Sequence, residues 1–472
     1  MNMHLKPAEG MDLSQIDKVF TAYDVRGLVG VDLNEAVAER IGYAIASELG
    51  LRRVVVGRDC RHTSPILAAA LAHGLMAAGV HVLDIGMAGT EEVYFATEAL
   101  GADGGVVVTA SHNPIEYNGF KFIGEHCRPL TEREFDALRR ASAHRMPATT
   151  ARGRISQVDM RADYARKVLQ FVDAANINPL RVVVDAGNGV AGAAFDAINR
   201  ELRARGVELE VMRINHAPDP EFGNGVPNPL LAHKRALTRR AVFAHRADLG
   251  IAWDGDFDRC FFFDDTGKFI EGHVVVALLT QAFLQSHPRS AIVHDSRVNW
   301  AARDMVARHD GRASVSKVGH SFVKRLMHES SAIYGGEISG HHYFRDFMGC
   351  DSGMIPWLKV IEMLSVSAEP LSEMAGSLRA VHPASEEINF RIADPAKALT
   401  RIYQLMVSKG IKADWFDGLS LEHKMWRLNI RASNTEPLLR LNVETRGDPD
   451  LLSEIENYVS AMLFDAGAER LC

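Results

Sequence analysis

Three aspartates at alternate positions form the first group of residues whose spacing suggests chemistry. Asp254, Asp256 and Asp258 lie in IAWDGDFDRC, directly after an apolar run. Three carboxylates in one loop repel one another unless a cation neutralises them, and hard oxygen ligands favour Mg²⁺ or Ca²⁺ over zinc. An EF-hand is not favoured, because Arg259 and an apolar run follow. The loop predicts a partly open Mg²⁺ site, and a solvated acidic turn is the alternative.

A serine that follows an apolar strand forms the second group. Ser111 lies in VVTASHNPIEYNGFKF, next to His112. Three carboxylates leave open positions on an octahedral ion, and a phosphate on Ser111 would supply a further oxygen ligand. Ser111 would then be a nucleophile that carries phosphate, whereas the alternative is a helix cap or a turn residue before Asn113. The segment lacks the G-x-S-x-G pattern, which disfavours an acyl hydrolase.

Two further segments group polar side chains that suit a sugar phosphate. In GGEISGHHYF, an extended backbone would place Glu337, Ser339 and His341 on one face, where they can bind hydroxyl groups. In RASNTEP, one guanidinium, two hydroxyls and an amide suit a phosphate dianion. These four residues are Arg431, Ser433, Asn434 and Thr435. A Gly-rich turn and an Asx or Ser turn are the respective alternatives.

Isolated residues carry weaker signals. Taken alone, Tyr23, Arg26, Lys121 and His320 are compatible with ordinary surface or interface positions. The glycine-rich DAGNGVAG, which starts at Asp185, lacks the lysine of a Walker loop and the spacing of a dinucleotide fingerprint. We interpret it as a tight strand-to-helix turn.

Three segments share a strand–loop–helix–strand pattern that would position these loops. The segments starting at Arg52, Leu180 and Ser290 each run from a β-branched stretch through a polar or Gly-rich loop and a helical pattern to a second strand. Such units predict sheets whose functional loops follow the carboxyl ends of strands. The predicted fold is therefore three related α/β domains with mixed sheets and a smaller C-terminal α+β domain, arranged around a central cleft. The predicted domains are residues 1–155, 156–262, 263–380 and 381–472.

Composition narrows the class of protein. The 472-residue chain is 47% hydrophobic and 24% charged, as soluble globular proteins are, and its net charge of -7 disfavours a nucleic-acid partner. Its five cysteines are widely spaced, which indicates a reducing compartment. No apolar stretch is long enough to span a bilayer. We expect a cytoplasmic protein with no membrane partner and no obligate protein partner.

The motifs TASHNPIEYNGFK, DGDFDR, GEISGHHYF and RASNTEP resemble, in order and separation, those of the α-D-phosphohexomutase superfamily. The resemblance covers nearly the whole chain, with one motif in each predicted domain, and points to the bacterial phosphomannomutase/phosphoglucomutase branch. It implies an intramolecular phosphotransferase that interconverts mannose 6-phosphate and mannose 1-phosphate, and glucose phosphates as well. The implied route passes through a phosphoserine enzyme and a hexose 1,6-bisphosphate, and its product feeds GDP-mannose and polysaccharide synthesis. Mg²⁺ is the implied cofactor, hexose 1,6-bisphosphate the activator, and small-molecule hexose phosphates the partners.

The resemblance also implies roles for single residues. Ser111 would carry the phosphoryl group, Lys121 and His341 match the neighbourhood of general acid and base groups, and His112 would orient the loop. The implied metal ligands are Ser111, Asp254, Asp256 and Asp258. The implied substrate-binding residues are Tyr23, Arg26, Arg259, His320, Glu337, Ser339, Arg431, Ser433, Asn434 and Thr435.

Two positions depart from the pattern of relatives. Thr90 and Glu91 stand where many relatives have a Thr-Pro pair, so we expect a different local turn. Arg297 stands where some relatives carry Lys, and a planar fork in place of a compact ammonium would alter substrate positioning.

Three other functions stay open. A glucose-specific phosphoglucomutase would differ in its relative turnover of mannose 1-phosphate and glucose 1-phosphate. A phosphatase with Asp254 or Asp256 as nucleophile would release inorganic phosphate. A non-catalytic sugar-phosphate-binding protein is disfavoured by the presence of Ser111 together with all three aspartates.

Overall fold

The structure, a computed structural model, forms two compact units. The first comprises Met1–Gly267 with Asp346–Ala368, and the second comprises Lys268–Arg345 with Glu369–Cys472. The residues that the structure describes are 13–144, 146, 153–432 and 438–471. Among these residues, no helix is long and apolar enough to cross a membrane.

The first unit contains a six-stranded mixed sheet. Its strands are β1 (Val25–Leu28), β2 (Arg53–Arg58), β3 (His81–Met87), β4 (Gly104–Val108), β5 (Tyr117–Gly124) and β6 (Arg154–Gln157), in the order β1-β5-β4-β2-β3-β6. The helices of this region are α1 (Glu35–Leu49), α2 (Ser64–Ala77), α3 (Thr90–Ala99) and α4 (Glu132–Ser142). Strand β2 runs parallel to both β3 and β4, while β5 pairs antiparallel with β4. Because β2 and β4 are parallel neighbours, the loops that follow them lie at one edge of the sheet.

The second α/β region, which also belongs to the first unit, contains a four-stranded sheet. Its strands are β7 (Arg181–Asp185), β8 (Glu210–Ile214), β9 (Leu249–Trp253) and β10 (Cys260–Phe263), in the order β10-β9-β7-β8. The helices here are α5 (Arg161–Val168), α6 (Ala191–Ala204) and α7 (Ala236–His245). DAGNGVAG is the predicted tight turn between β7 and α6, with positive φ angles at Gly187 and Asn188. Every residue of β9 and β10 is buried, so this antiparallel hairpin is fixed by packing on both faces.

The second unit begins with the third α/β region. Its strands are β11 (Ala291–Asp295), β12 (Arg312–Ser316), β13 (Tyr334–Gly336) and β14 (His342–Phe344), in the order β12-β11-β13-β14. Its helices are α8 (Gly272–Ser286), α9 (Trp300–Arg308) and α10 (His320–Ser330). Strands β11 and β12, which precede and follow α9 along the chain, pair in parallel, as the repeated strand–loop–helix–strand pattern predicts.

The next two elements along the chain belong to the first unit. They are β15 (Cys350–Asp351) and α11 (Met354–Ser367). Trp357 is fully buried with its ring 5.1 Å from that of Phe195, and the Gly353 carbonyl accepts a hydrogen bond of 2.8 Å from Trp253 Nε1. Helix α11 therefore completes the core around the β9–β10 hairpin.

An antiparallel sheet with two helices forms the C-terminal region of the second unit. After α12 (Leu371–Val381) come β16 (Ile388–Arg391), α13 (Pro395–Ser408), β17 (Lys412–Asp414), β18 (Leu419–Glu422), β19 (Trp426–Ala432), β20 (Leu438–Thr445), α14 (Pro449–Asp465) and β21 (Glu469–Arg470). The sheet order is β17-β18-β19-β20-β16-β21. Asp394 and Asp448 cap α13 and α14, each followed by a proline that suits the first helical turn. Mixed α/β sheets and a smaller α+β region are thus confirmed, while the domain boundaries remain predictions.

Candidate active site

The three aspartates lie in the loop of the β9–β10 hairpin. Trp253 and Cys260 are paired across the hairpin, so residues 254–259 form the connection. One oxygen of each of Asp254, Asp256 and Asp258 lies within 4.8 Å of the others, and all three residues are buried. We call residues 254–259 the acidic loop.

The charges around the acidic loop fit a divalent cation. Arg259 Nε donates a hydrogen bond of 2.9 Å to Asp254 Oδ2, and its Nη2 lies 2.8 Å from the same oxygen as an ion pair. Lys121 Nζ lies 2.7 Å from Asp256 Oδ2 and 2.5 Å from Asp258 Oδ2. Two cations therefore face three buried carboxylates. Burial raises the pKa of Asp254 to about 6, with Arg259 opposing and the neighbouring aspartates reinforcing that rise. Asp256 Oδ1 is buried and accepts no hydrogen bond from the residues described. An excess of carboxylate and an orphaned oxygen suit Mg²⁺.

Ser111 follows β4 and reaches the acidic loop. Its Oγ donates a hydrogen bond of 2.8 Å to Asp254 Oδ2 and lies 3.1 Å from Nδ1 of the exposed His112. The backbone of Ser111 has φ 49°, in the left-handed region that disfavours residues with a side chain. A Cβ atom at Gly255 would lie 2.7 Å from the Ser111 carbonyl oxygen, so only glycine allows this approach. The predicted serine and the predicted metal loop are therefore adjacent.

Strands β5 and β1 place Lys121 and one further cation, Arg26, in this region. Lys121 lies on β5; burial lowers its pKa, but Asp256 and Asp258 together raise it well above its ordinary value. Arg26 lies on β1 opposite Gly119 of β5 and pairs with Asp24 at 3.2 Å. Tyr23 is half-buried just before β1.

In the second unit, the GEISG segment forms a turn rather than an extended strand. Residues 337–341 connect β13 to the antiparallel β14, with Gly340 at φ 91°. Glu337 is buried and accepts from the Gly319 amide (3.0 Å) and from the Tyr343 hydroxyl (2.6 Å). The extended backbone that would place the three side chains on one face is not formed, and the Gly-rich turn, the alternative, is observed because a hairpin needs a tight reversal here.

The turn still brings polar side chains together. Ser339 Oγ lies 3.1 Å from His341 Nδ1, and that nitrogen is 3.7 Å from Glu337 Oε2. His320 begins α10, directly after Gly319. A carboxylate, a hydroxyl and an imidazole in one turn can bind sugar hydroxyls.

Two arginines of the second unit lie close enough to repel. Arg297 is buried and donates to Asp295 Oδ2 from Nε (3.2 Å) and Nη2 (2.6 Å), and although burial opposes it, this holds the pKa of Asp295 below its usual value. Burial, followed by the charge of Arg297, lowers the pKa of Arg431 at the end of β19. Arg431 Nε is buried without a hydrogen-bond partner among the described residues. Ser433, Asn434 and Thr435 lie outside the described residues.

Models of one protein family match nearly the whole chain. They are phosphoglucomutase/phosphomannomutase alpha/beta/alpha domain I at residues 17–146, domain II at 162–267, domain III at 271–381 and the C-terminal domain at 387–462. The chain belongs to the phosphoglucomutase/phosphomannomutase family. It is accordingly an intramolecular phosphotransferase.

Individual members of this family are similar over nearly their full length. A phosphomannomutase of Salmonella typhimurium is 49% identical over 94% of this chain and 98% of its own. A protein of Xanthomonas campestris named as phosphohexose mutases is 47% identical, with the same coverage. Among solved structures, a phosphoglucomutase/phosphomannomutase family protein of Burkholderia thailandensis has a TM-score of 0.84 at 30% identity, covering 97% of this chain and 98% of its own.

Some residues at this candidate site were not assigned to it from the sequence. Thr90 begins α3 and donates from Oγ1 to Asp256 Oδ2 at 2.7 Å. Asp59 and Arg61 follow β2 and contact the Ser111 loop. Both groups follow strands that run parallel to β4, at the edge where Ser111 lies, and that position is the signal that could have identified them. Glu91, the departure from Thr-Pro, is fully buried and accepts hydrogen bonds from the Gly353 amide and the Tyr164 hydroxyl.

Proposed function

We propose that the chain interconverts mannose 6-phosphate and mannose 1-phosphate, with glucose phosphates as further substrates. The observation that carries the proposal is the hydrogen bond from Ser111 Oγ to Asp254 within a buried loop that has an excess of carboxylates. The phosphomannomutase of Salmonella typhimurium, similar over almost its entire length, supports mannose phosphates as the substrates.

Ser111 is the proposed phosphate carrier. Phosphoserine donates its phosphoryl group to the free hydroxyl of a hexose phosphate, which gives a hexose 1,6-bisphosphate and a free serine. The bisphosphate turns over, and its other phosphoryl group returns to Ser111. Mg²⁺ held by Asp254, Asp256, Asp258 and a Ser111 phosphate oxygen would neutralise charge on the transferring group. Hexose 1,6-bisphosphate is the proposed activator because it can phosphorylate an empty Ser111.

Each transfer also moves a proton. The attacking sugar hydroxyl loses its proton, and the serine oxygen that leaves phosphorus gains one. Lys121 and His341 are the proposed acid and base groups, since an ammonium donates protons and a neutral imidazole accepts them. Lys121 already hydrogen-bonds two carboxylates of the acidic loop, which holds it beside the proposed phosphate site.

Substrate binding requires groups that tolerate two orientations of the sugar. We assign the hydroxyl groups to Glu337 and Ser339, which share one turn with His341. The non-reacting phosphate is assigned to Arg431, whose buried Nε supports an anion there. Ser433, Asn434 and Thr435 join this phosphate site on the resemblance alone. Tyr23, Arg26, Arg259 and His320 complete the proposed substrate-binding set.

The cellular setting follows from the same proposal. Hexose phosphates are the partners, and no nucleic acid, membrane or obligate protein partner takes part. Cytoplasm is the proposed location, because the widely spaced cysteines suit a reducing compartment and Cys60, Cys127, Cys260 and Cys350 are buried.

Phosphorus NMR tests the proposal directly. Mannose 1-phosphate is incubated with Mg²⁺, a trace of hexose 1,6-bisphosphate, and either the wild type or Ser111→Ala. A growing 6-phosphate signal that the variant largely lacks supports the phosphoserine route. Free phosphate would instead indicate a phosphatase, and unchanged substrate would indicate a binding protein. Turnover of glucose 1-phosphate without mannose 1-phosphate would indicate a glucose-specific phosphoglucomutase.

A further inference from the structure

Arg61 binds the backbone of the loop that carries Ser111. It follows β2 and is 1% exposed, among the most buried large side chains described. Its guanidinium donates to four backbone carbonyls, those of Ser111 (2.9 Å), Asn113 (2.7 Å), Pro114 (2.8 Å) and Tyr117 (3.2 Å). One side chain thus spans the whole connection between β4 and β5.

Asp59 holds the other side of the same loop. Its Oδ2 lies 3.3 Å from Arg61 Nε and accepts a hydrogen bond of 2.8 Å from Thr109 Oγ1. Thr109 Oγ1 in turn accepts a hydrogen bond of 2.8 Å from the backbone amide of Ser111. The Asp59–Arg61 pair therefore reaches the carbonyl of Ser111 directly and its amide through one hydroxyl.

This double hold explains an unfavourable backbone conformation. Ser111 has φ 49°, and a residue with a Cβ atom rests there only when its surroundings fix it. Fixing both polar groups of its backbone is such a constraint. The conformation also directs Ser111 Oγ to Asp254 Oδ2 at 2.8 Å.

The four carbonyl contacts made by residue 61 require arginine. A guanidinium presents five donors in a rigid plane, whereas an ammonium presents three donors from one point. The ring of the buried Phe222 lies over the Arg61 guanidinium, with its centroid 5.5 Å from Cζ, which further restricts the fork. Lysine at this position would keep the charge and lose most of the carbonyl contacts.

We propose that Arg61 and Asp59 are positioning residues that hold Ser111 so that its phosphoryl group passes to the hexose hydroxyl rather than to water. This inference rests on the proposed function, in which Ser111 carries phosphate. Neither side chain is a catalytic residue in this account. A loosened loop would let the phosphoserine leave its place beside the metal ligands, where water competes with the sugar hydroxyl as acceptor.

The test measures how the phosphoenzyme divides its phosphoryl group. Full-length protein is phosphorylated on Ser111 with hexose 1,6-bisphosphate, and mutase turnover and inorganic phosphate release are measured together. For Arg61→Lys we expect kcat to fall about tenfold or more with KM within about threefold, and phosphate release per turnover to rise about tenfold. A variant that merely unfolds in part lowers both rates equally and leaves their ratio unchanged.

A second pair of variants keeps the buried charges intact. Thr109→Val removes the hydroxyl that joins Asp59 to the Ser111 amide, and Thr109→Ser restores it. We expect the valine variant to release more phosphate per turnover and the serine variant to behave like the wild type. Arg235→Lys is the matched control, because Arg235 also donates to loop carbonyls, those of Pro229 (2.9 Å) and Leu230 (2.7 Å), outside the proposed site.

The outcomes separate the inference from the proposed function. A wild type that converts hexose phosphates, together with Arg61→Lys and Thr109→Val at the wild-type ratio, overturns the inference alone. A raised ratio in both variants and not in Arg235→Lys supports it. A wild type that neither carries phosphate on Ser111 nor acts as a mutase overturns the proposed function, and the inference with it.

Discussion

The region around Ser111 in the first unit and the region around Arg431 in the second differ in how completely their charges are paired. In the first, Arg259 and Lys121 already contact the aspartates of the acidic loop, and Ser111 already contacts Asp254. In the second, Arg431 faces the repulsion of Arg297, and its buried Nε lacks a partner among the described residues. This difference indicates that the groups proposed for the chemistry are already paired and pre-organised. The group proposed to bind the non-reacting phosphate gains its favourable charge interaction only when an anion binds.

Removing one carboxylate from the acidic loop is expected to have the largest effect. Asp256→Asn deletes an oxygen charge from the proposed metal site, so activity should fall about 1000-fold and the Mg²⁺ concentration for half-maximal activity should rise. Steady-state assays over a Mg²⁺ titration measure both. Asp264→Asn is the matched control, since Asp264 is also buried and holds the Thr266 turn instead of the site. An unchanged Mg²⁺ requirement in Asp256→Asn would place the metal elsewhere.

Removing a paired cation should damage both chemistry and fold. Lys121→Met leaves Asp256 and Asp258 buried without their ammonium partner, which destabilises the fold by about 3 kcal/mol. We expect activity to fall about 100-fold. Urea unfolding measures the change in stability. Asp136 pairs with Arg140 on an exposed helix face, so Arg140→Met should leave stability within about 0.5 kcal/mol. Equal stability of Lys121→Met and the wild type would contradict the view that this region is held together by its charge pairs.

Removing Arg431, the cation of the other region, should have the opposite effect on stability. Arg431→Met relieves the burial of a repelled charge, so the free energy of unfolding should rise by about 1 kcal/mol without ligand. KM for hexose phosphates should rise about 10-fold to 100-fold, and thermal stabilisation by hexose 1,6-bisphosphate should be lost. Arg440 lies directly across the sheet from Arg431 and pairs with Glu387 at 3.5 Å, so Arg440→Met is the control that should keep its KM. A destabilised Arg431→Met would show that its charge is compensated without substrate.

A buried carboxyl near the first region offers the smallest and most selective test. Burial raises the pKa of Glu91 to about 8, with hydrogen bonds from Tyr164, Ser352 and Gly353 opposing the rise. Between pH 4.5 and 8 the unfolded chain therefore loses a proton that the folded chain keeps. The free energy of unfolding should fall as pH rises through this window, by at most about 1.4 kcal/mol per pH unit.

Glu91→Gln should remove that dependence. The variant should gain stability relative to the wild type between pH 5 and pH 8, as measured by urea unfolding at each pH. Glu134→Gln is the control, because a hydrogen bond from Arg128 lowers the pKa of Glu134 to about 2, and its contribution is complete above about pH 4.5. Parallel curves for Glu91→Gln and the wild type would mean that Glu91 is ionised throughout.

The sequence predicted the parts of the site that depend on a single loop. Ser111 and the three aspartates each follow one buried strand, and their residue types by themselves suggest phosphate and metal chemistry. The three strand-helix-strand repeats could also be predicted, because each is formed by consecutive residues. Contacts between loops that are distant in sequence could not be predicted. Arg61 reaches Ser111 only because β2 and β4 are neighbours in the sheet, and strand order is not written in either segment.

Two local predictions failed or stayed incomplete for related reasons. Alternating Glu337, Ser339 and His341 suggested one face of a strand, but the glycine at 340 takes a positive φ and the chain reverses. The role of Glu91 depends on Tyr164 and Gly353, which are far away in sequence. Periodicity identifies the faces of an element, whereas tertiary partners decide what a buried polar side chain does.

The first unit is discontinuous along the chain, and this imposes an order on its synthesis. Its core needs α11, since Trp357 packs on Phe195 and Trp253 donates to the Gly353 carbonyl. When the ribosome has made Met1–Gly267, the surface that α11 covers is still bare, and residues 268–345 must emerge before it can be closed. During that interval the nascent chain exposes an aromatic surface that is prone to aggregation. We therefore expect this to be the stage of synthesis at which a chaperone matters most.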